Sequence, residues 1–218
     1  MATTVRDRYR TEMREAIRQA AERQLREDGP GGVSLAAIAR ELGMSGPALY
    51  RYVPSRDALL TELISDAYLD LARALRDAVE RTHDGGDRLG ALLTGYRTWA
   101  RQEPHRYRLL FQPPLPDFDS NATSLVEASR APMRVLLEVL TAKPAKGAGA
   151  VLTDALRAQL EDWARGHGPS ADAEAALAAV TIWSRLHGFV SLEIANDLTA
   201  MGVDADELFA IEARRMRP

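Results

Sequence analysis

Leu35, Ile38, Ala39 and Leu42 recur at i, i+3, i+4 and i+7, which draws one apolar stripe along a short helix entered from an N-capping Ser34. Gly43 ends that helix. Ser45 is placed to cap a second one, because Gly46 and Pro47 fall in its first turn, where a missing N–H costs nothing. Leu49 and Val53 stand four apart and face inward, which leaves Gly46, Pro47, Ala48, Tyr50, Arg51 and Tyr52 around the exposed side. Two short helices joined by a turn at Gly43 to Ser45 meet the requirements of a helix-turn-helix: the first braces, and the second can enter a DNA major groove.

Ser34, Ala39, Leu42, Gly43, Leu49, Tyr50, Tyr52, Ser55 and Arg56 together resemble the DNA-binding domain of the tetracycline repressor (TetR) family of transcriptional regulators. The departures are Val53 where phenylalanine is common, Arg56 where lysine is usual, and Pro47 near the start of the second helix, where glycine is commoner. The resemblance implies that Ser34, Ser45, Gly46, Pro47, Ala48, Tyr50, Arg51, Tyr52 and Arg56 meet double-stranded operator DNA. Of these, Tyr50, Tyr52 and Arg56 match the positions that contact the DNA backbone. Gly46, Pro47 and Ala48 carry no side-chain donor, so polar readout of bases falls to Ser45, Tyr50 and Arg51.

Charge fits this division of labour. The whole chain has a formal net charge of −3, but residues 1–60 carry ten Arg against eight Asp or Glu, while the remainder carries eighteen basic against twenty-three acidic residues. The basic part is the part expected to bind DNA. With 218 residues and no cysteine, disulfide frameworks and thiolate metal sites are excluded, and a reducing, cytoplasmic compartment is expected. The first twenty residues are charged and amphipathic, unlike a secretory signal. No apolar run reads as long enough to span a bilayer, so no membrane partner is expected.

The periodicities predict an all-α chain: a three-helix helix-turn-helix domain over 1–54 and a larger helical ligand-binding and dimerisation domain over 55–218. The first helix carries the stripe Tyr9, Met13, Ala16, Ile17, Ala20, Ala21 and Leu25 and ends near Asp28 and Gly29. On another face Arg6, Arg10, Arg14 and Arg18 recur every four residues, and the first of them, with Arg8, are candidates to reach phosphates. A long helix capped by Ser55 runs to about Thr82, linking the two domains. Helices follow from Leu89 to a stop before Pro104, over His105 to Phe111, roughly Ser120 to Lys143 with a bend or break at Pro132, from Leu152 to an end at Gly166 to Pro169, over Ala171 to Asn196, and about Asp204 to Met216. Gln112 to Asn121 reads as an irregular segment and Lys143 to Gly149 as a small-residue linker.

The helix over Ala171 to Asn196 is apolar on two sides and has to be covered on both. Ile182, Trp183, Leu186, Phe189, Val190 and Ile194 suit the core of its own domain. Leu177, Val180, Ser184, Gly188 and Ser191 suit close packing against a second subunit. The Trp183, His187, Gly188 spacing is similar to the tryptophan-histidine-glycine motif of one TetR C-terminal subgroup. Tyr96, Trp99, Tyr107, Phe111, Met133, Trp183 and His187 are candidates to line a pocket for an unidentified small-molecule effector. The sequence shows no catalytic constellation, no metal-ligand spacing and no cofactor motif. These observations predict a homodimeric, effector-responsive repressor; the rival is a helical binding protein or enzyme with a vestigial helix-turn-helix.

Overall fold

The computed structural model describes residues 4–83, 86–111, 123–142, 152–168 and 171–217, and among them every regular element is helical. The helices are α1 (Val5–Gly32), α2 (Leu35–Glu41), α3 (Gly46–Tyr50), α4 (Arg56–Glu80), α5 (Arg88–Gln102), α6 (Pro104–Phe111), α7 (Thr123–Ala142), α8 (Asp154–Arg165), α9 (Ala173–Ile194), α10 (Asp197–Ala200) and α11 (Ala205–Arg215). They form two compact units. One holds the described residues of Met1–Ala67 and His105–Val126, the other those of Tyr68–Pro104 and Glu127–Pro218. The expected irregular segment at 112–121 and the linker at 143–149 lie outside the described residues.

In the first unit α1 opens with a capping box: the Asp7 amide donates to Thr4 Oγ1 at 3.2 Å, and the Thr4 amide donates to Asp7 Oδ2 at 3.3 Å. Ile17, Ala20, Ala21 and Leu25 are buried as the stripe requires, but Tyr9 is 58% exposed because the first turns of α1 run out beyond the core. Gly29, with φ +71°, breaks the helix where the sequence predicts its end, and Pro30 to Gly32 add one further turn. Ser34 Oγ accepts the Ala37 amide to cap α2, and Gly43 turns the chain at φ +63°. Leu35, Ile38, Ala39, Leu49 and Val53 close the core with Leu59, Leu60 and Leu63 of α4. Ser55 Oγ caps α4 by accepting the Ala58 amide at 3.0 Å.

Residues of α6 return to this unit. His105, which the sequence leaves at a helix start among scattered histidines, is buried, with Nε2 3.3 Å from Glu22 Oε2. Arg106 donates to Glu22 Oε1 at 3.0 Å. Burial alone raises the Glu22 pKa, but the hydrogen bond to His105 and the charge of Arg106 outweigh it and hold this carboxyl below its ordinary value.

The second unit is built around α9, which packs on α5, α8 and α10. Leu160 and Ala164 of α8 meet Ala173 and Ala176 of α9 in one apolar cluster. The small alanines allow these two helices to approach closely. Of the bend or interruption expected at Pro132, the interruption does not occur: α7 continues through it. Helix α9 also corrects an expectation: its 22 residues and mean hydropathy of 1.3 are enough to cross a bilayer by length and composition. Its Ile182, Leu186 and Val190 are instead buried within the unit.

An ionic knot, not anticipated from sequence, joins α5, α9 and α11. Arg97 donates from Nε and Nη2 to the two carboxylate oxygens of Glu193 at 2.8 and 2.6 Å, and Asp206 Oδ1 lies 2.6 Å from the same Nη2. The guanidinium carbon sits 4.7 Å from the Phe209 ring centre and 5.8 Å from that of Phe189.

Candidate nucleic-acid interface and ligand site

The recognition surface is assembled by α2, the Gly43 turn and α3. Leu49, 1% exposed, anchors α3 inward. Ser45, Gly46, Pro47, Tyr50 and Arg51 stand exposed, while Ala48 and Tyr52 are half-buried. Ser45 occupies the N-cap position of α3 without making the cap hydrogen bond that the sequence suggested. The reason is local. Pro47 removes the N–H at the second helical position, and the Ala48 amide donates to the Ser45 carbonyl at 3.0 Å. The Ser45 hydroxyl is therefore not consumed by its own helix. Ser34, by contrast, accepts the Ala37 amide, and its O–H remains a possible donor.

The arginines divide into two groups. Arg14 pairs with Glu62, Arg18 with Glu15, and Arg23 with Glu41, so these cations serve the unit itself. Arg6, Arg8, Arg10, Arg40 and Arg51 are exposed and form no ion pair with the described residues. Arg56 behaves differently from either group. Its Nε donates to the Val33 carbonyl at 2.7 Å, and one Nη donates to the carbonyls of Pro30 at 2.7 Å and Gly31 at 3.1 Å.

The candidate pocket residues are distributed between the units. Tyr107 and Phe111 belong to the first, with ring centres 4.9 Å apart. Tyr96, Trp99, Met133, Trp183 and His187 belong to the second. There Tyr96, fully buried, meets Trp183 edge-on at 5.2 Å. The Trp99 indole N–H donates to Asp70 Oδ2 at 3.0 Å, an anchoring role. His187 is half-buried, and burial pulls its pKa below the usual imidazole value, so the ring is neutral at pH 7. An open groove of about 640 Å³ runs between α4, α5 and the end of α11, floored by Ala74, Ala78, Ala91 and Gly95. Of the candidate pocket residues it is lined by Trp99 alone.

The face expected to pack on a second subunit is open. Val180 is 38% exposed and Ser184 and Gly188 are exposed, with Leu177 and Ser191 half-buried beside them. The hydroxyls of Ser184 and Ser191 donate back to the carbonyls of Val180 and Gly188 at 2.8 and 2.9 Å. Both serines thus present small, satisfied surfaces.

Residues 17–63 match the family described as bacterial regulatory proteins, tetR family, and residues 89–216 match the tetracyclin repressor-like C-terminal domain. An HTH-type transcriptional regulator of Mycobacterium bovis is 33% identical, with 94% of each chain covered. An uncharacterized HTH-type transcriptional regulator of Mycobacterium tuberculosis is 28% identical over 88% of this chain and 75% of its own. Among solved structures, SCO4313, a protein assigned a regulatory role, is 38% identical with a TM-score of 0.82, covering 98% of this chain and 99% of that one. A protein of unknown function from Rhodococcus sp. RHA1 is 26% identical with a TM-score of 0.69, covering 93% and 92%.

Proposed function

The chain belongs to the TetR family of DNA-binding transcriptional regulators, and on that premise we propose that it is a homodimeric, non-catalytic cytoplasmic repressor released from its operator by a small molecule. The observation that carries this reading is the exposed face of α3, where Ser45, Tyr50 and Arg51 keep donors that the fold does not consume. Gly46, Pro47 and Ala48 bring the first turn of α3 close to base edges and read thymine methyls and groove shape. Tyr50, Tyr52 and the Ser34 hydroxyl meet phosphates, which fix register without carrying sequence information.

A two-fold dimer reads two half-sites one helical turn apart, so the operator is a rough palindrome. Selection from random duplexes should therefore enrich an inverted repeat, whose affinity falls steeply with salt. Enrichment of no sequence, or salt-independent binding, overturns the reading. An effector held near Tyr96, Trp183, His187 and Met133 would act through α4, a single helix with residues in both units. Effector and operator then oppose each other reciprocally, typically by about five- to 150-fold in affinity. Compounds that quench tryptophan fluorescence yet bind free and operator-bound protein equally would exclude this coupling.

The subunit contact is tested at Gly188. Gly188 is exposed and a Cβ built there meets nothing within 4 Å, so the position admits a side chain in the single chain. If Leu177, Val180, Ser184, Gly188 and Ser191 form the dimer face, sedimentation should show Gly188→Trp as a monomer with native helicity. An intact dimer would move the interface elsewhere.

A further inference from the structure

We propose that Arg56 is a positioning residue that fixes both ends of the helix-turn-helix segment; this rests on the DNA-binding reading above. Gly29 breaks α1 at φ +71°, and the chain beyond it presents the carbonyls of Pro30, Gly31 and Val33 together. These are helix-end acceptors that need donors, and they carry the negative end of the α1 dipole. Arg56 is the first residue of α4, where the local dipole disfavours a cation. Reaching to the end of α1 resolves both problems at once.

The three contacts cross 23 to 26 residues of sequence, and that interval holds α2, the Gly43 turn and α3. One planar guanidinium therefore closes the ring from which α3 projects. Nε and Nη2 are thus engaged by main-chain carbonyls and the side chain is half-buried, so its donors serve the fold rather than phosphate. Lysine, usual here in chains that this one resembles, is a point cation without the rigid fork of arginine and cannot reproduce the same set of contacts.

The test compares Arg56→Ala and Arg56→Lys with the wild-type chain on its selected operator and on a scrambled duplex, at a temperature where all three are folded by circular dichroism. Positioning predicts that both variants lose operator affinity by about tenfold or more. It also predicts unchanged affinity for the scrambled duplex and an unchanged salt slope. A phosphate anchor instead predicts equal loss on both duplexes for Arg56→Ala, a slope smaller by about 0.9, and near-normal binding for Arg56→Lys. That pattern overturns the proposal. So does a lowered melting temperature with operator affinity unchanged, which would make the clamp merely structural. Failure of the wild-type chain to select any operator would be failure of the DNA-binding reading, and is seen before either variant is made.

Discussion

Replacing Gly46 with leucine is expected to abolish sequence-specific DNA binding in a chain that stays folded. Gly46 is the first residue of α3, is exposed, and lies outside the left-handed backbone region. A Cβ built there meets nothing within 4 Å. Leucine is a better helix former than glycine by up to about 1 kcal/mol, but a Cβ before Pro47 opposes the helical conformation, so circular dichroism first establishes that the variant is folded. On DNA the situation reverses. The first turn offers only the Pro47 ring and the Ala48 methyl besides Gly46, and a branched side chain there holds the helix away from the base edges. Once direct readout is lost, only phosphate attraction remains, and specific binding is typically about a thousandfold or more tighter than that residue of affinity. Fluorescence anisotropy on the operator and on a scrambled duplex reads both quantities. Wild-type operator affinity for Gly46→Leu would show that α3 does not dock through its first turn.

The second large effect is one of stability. Arg97→Ala should destabilise the second unit by up to about 3 kcal/mol, the low end of the cost of breaking a buried ion pair, because Arg101 also lies within ion-pair distance of the same carboxylate. The partner left behind is Glu193, whose side chain is 13% exposed and whose remaining cation is Arg101, 53% exposed and 3.8 Å away; Asp206, at 73%, is rehydrated at little cost. Arg97→Met combined with Glu193→Leu removes both charges and should recover most of the loss, since replacing a buried pair by apolar groups is often neutral. Urea unfolding of the wild type, the single variant and the double variant measures this. A single variant within about 0.5 kcal/mol of wild type, the range of ordinary surface substitutions, would mean that the knot is solvated in solution.

What the sequence makes legible is local. The stripe Leu35, Ile38, Ala39 and the caps at Ser34 and Ser55 are found where their spacing put them, because period and capping act over four residues or fewer. Ser45 shows the limit of that logic: its residue type is right for a cap, but the Ala48 amide bonds its carbonyl and its hydroxyl makes no cap hydrogen bond. Tyr9 keeps the period of α1 yet stands exposed, since periodicity says which face a residue is on and not how far the core extends. The polar pairs were invisible for a different reason. Arg97 meets Glu193 across 96 residues, and Arg106 meets Glu22 across 84. Glu22 reads in sequence as a charge beside an apolar stripe, and no spacing rule names its partner. The role of Arg56 was hidden because its partners are main-chain carbonyls, which no residue type announces.

The Glu22 pairing also bears on how such a chain can be taken apart. His105 and Arg106 complete the unit that carries the helix-turn-helix, yet they are separated from its first segment by Tyr68–Pro104 of the other unit. Cut after Ala67, the N-terminal piece would lose the contacts of His105 and Arg106 and leave Glu22 with Arg18, 4.0 Å away, as its remaining partner. The helix-turn-helix unit is therefore completed by a second stretch of chain distant in sequence. Recombination or engineering that grafts it onto another effector domain keeps the Glu22 contacts with His105 and Arg106 only if it brings α6 with it. In this chain the piece that moves as one compact unit is two segments rather than one.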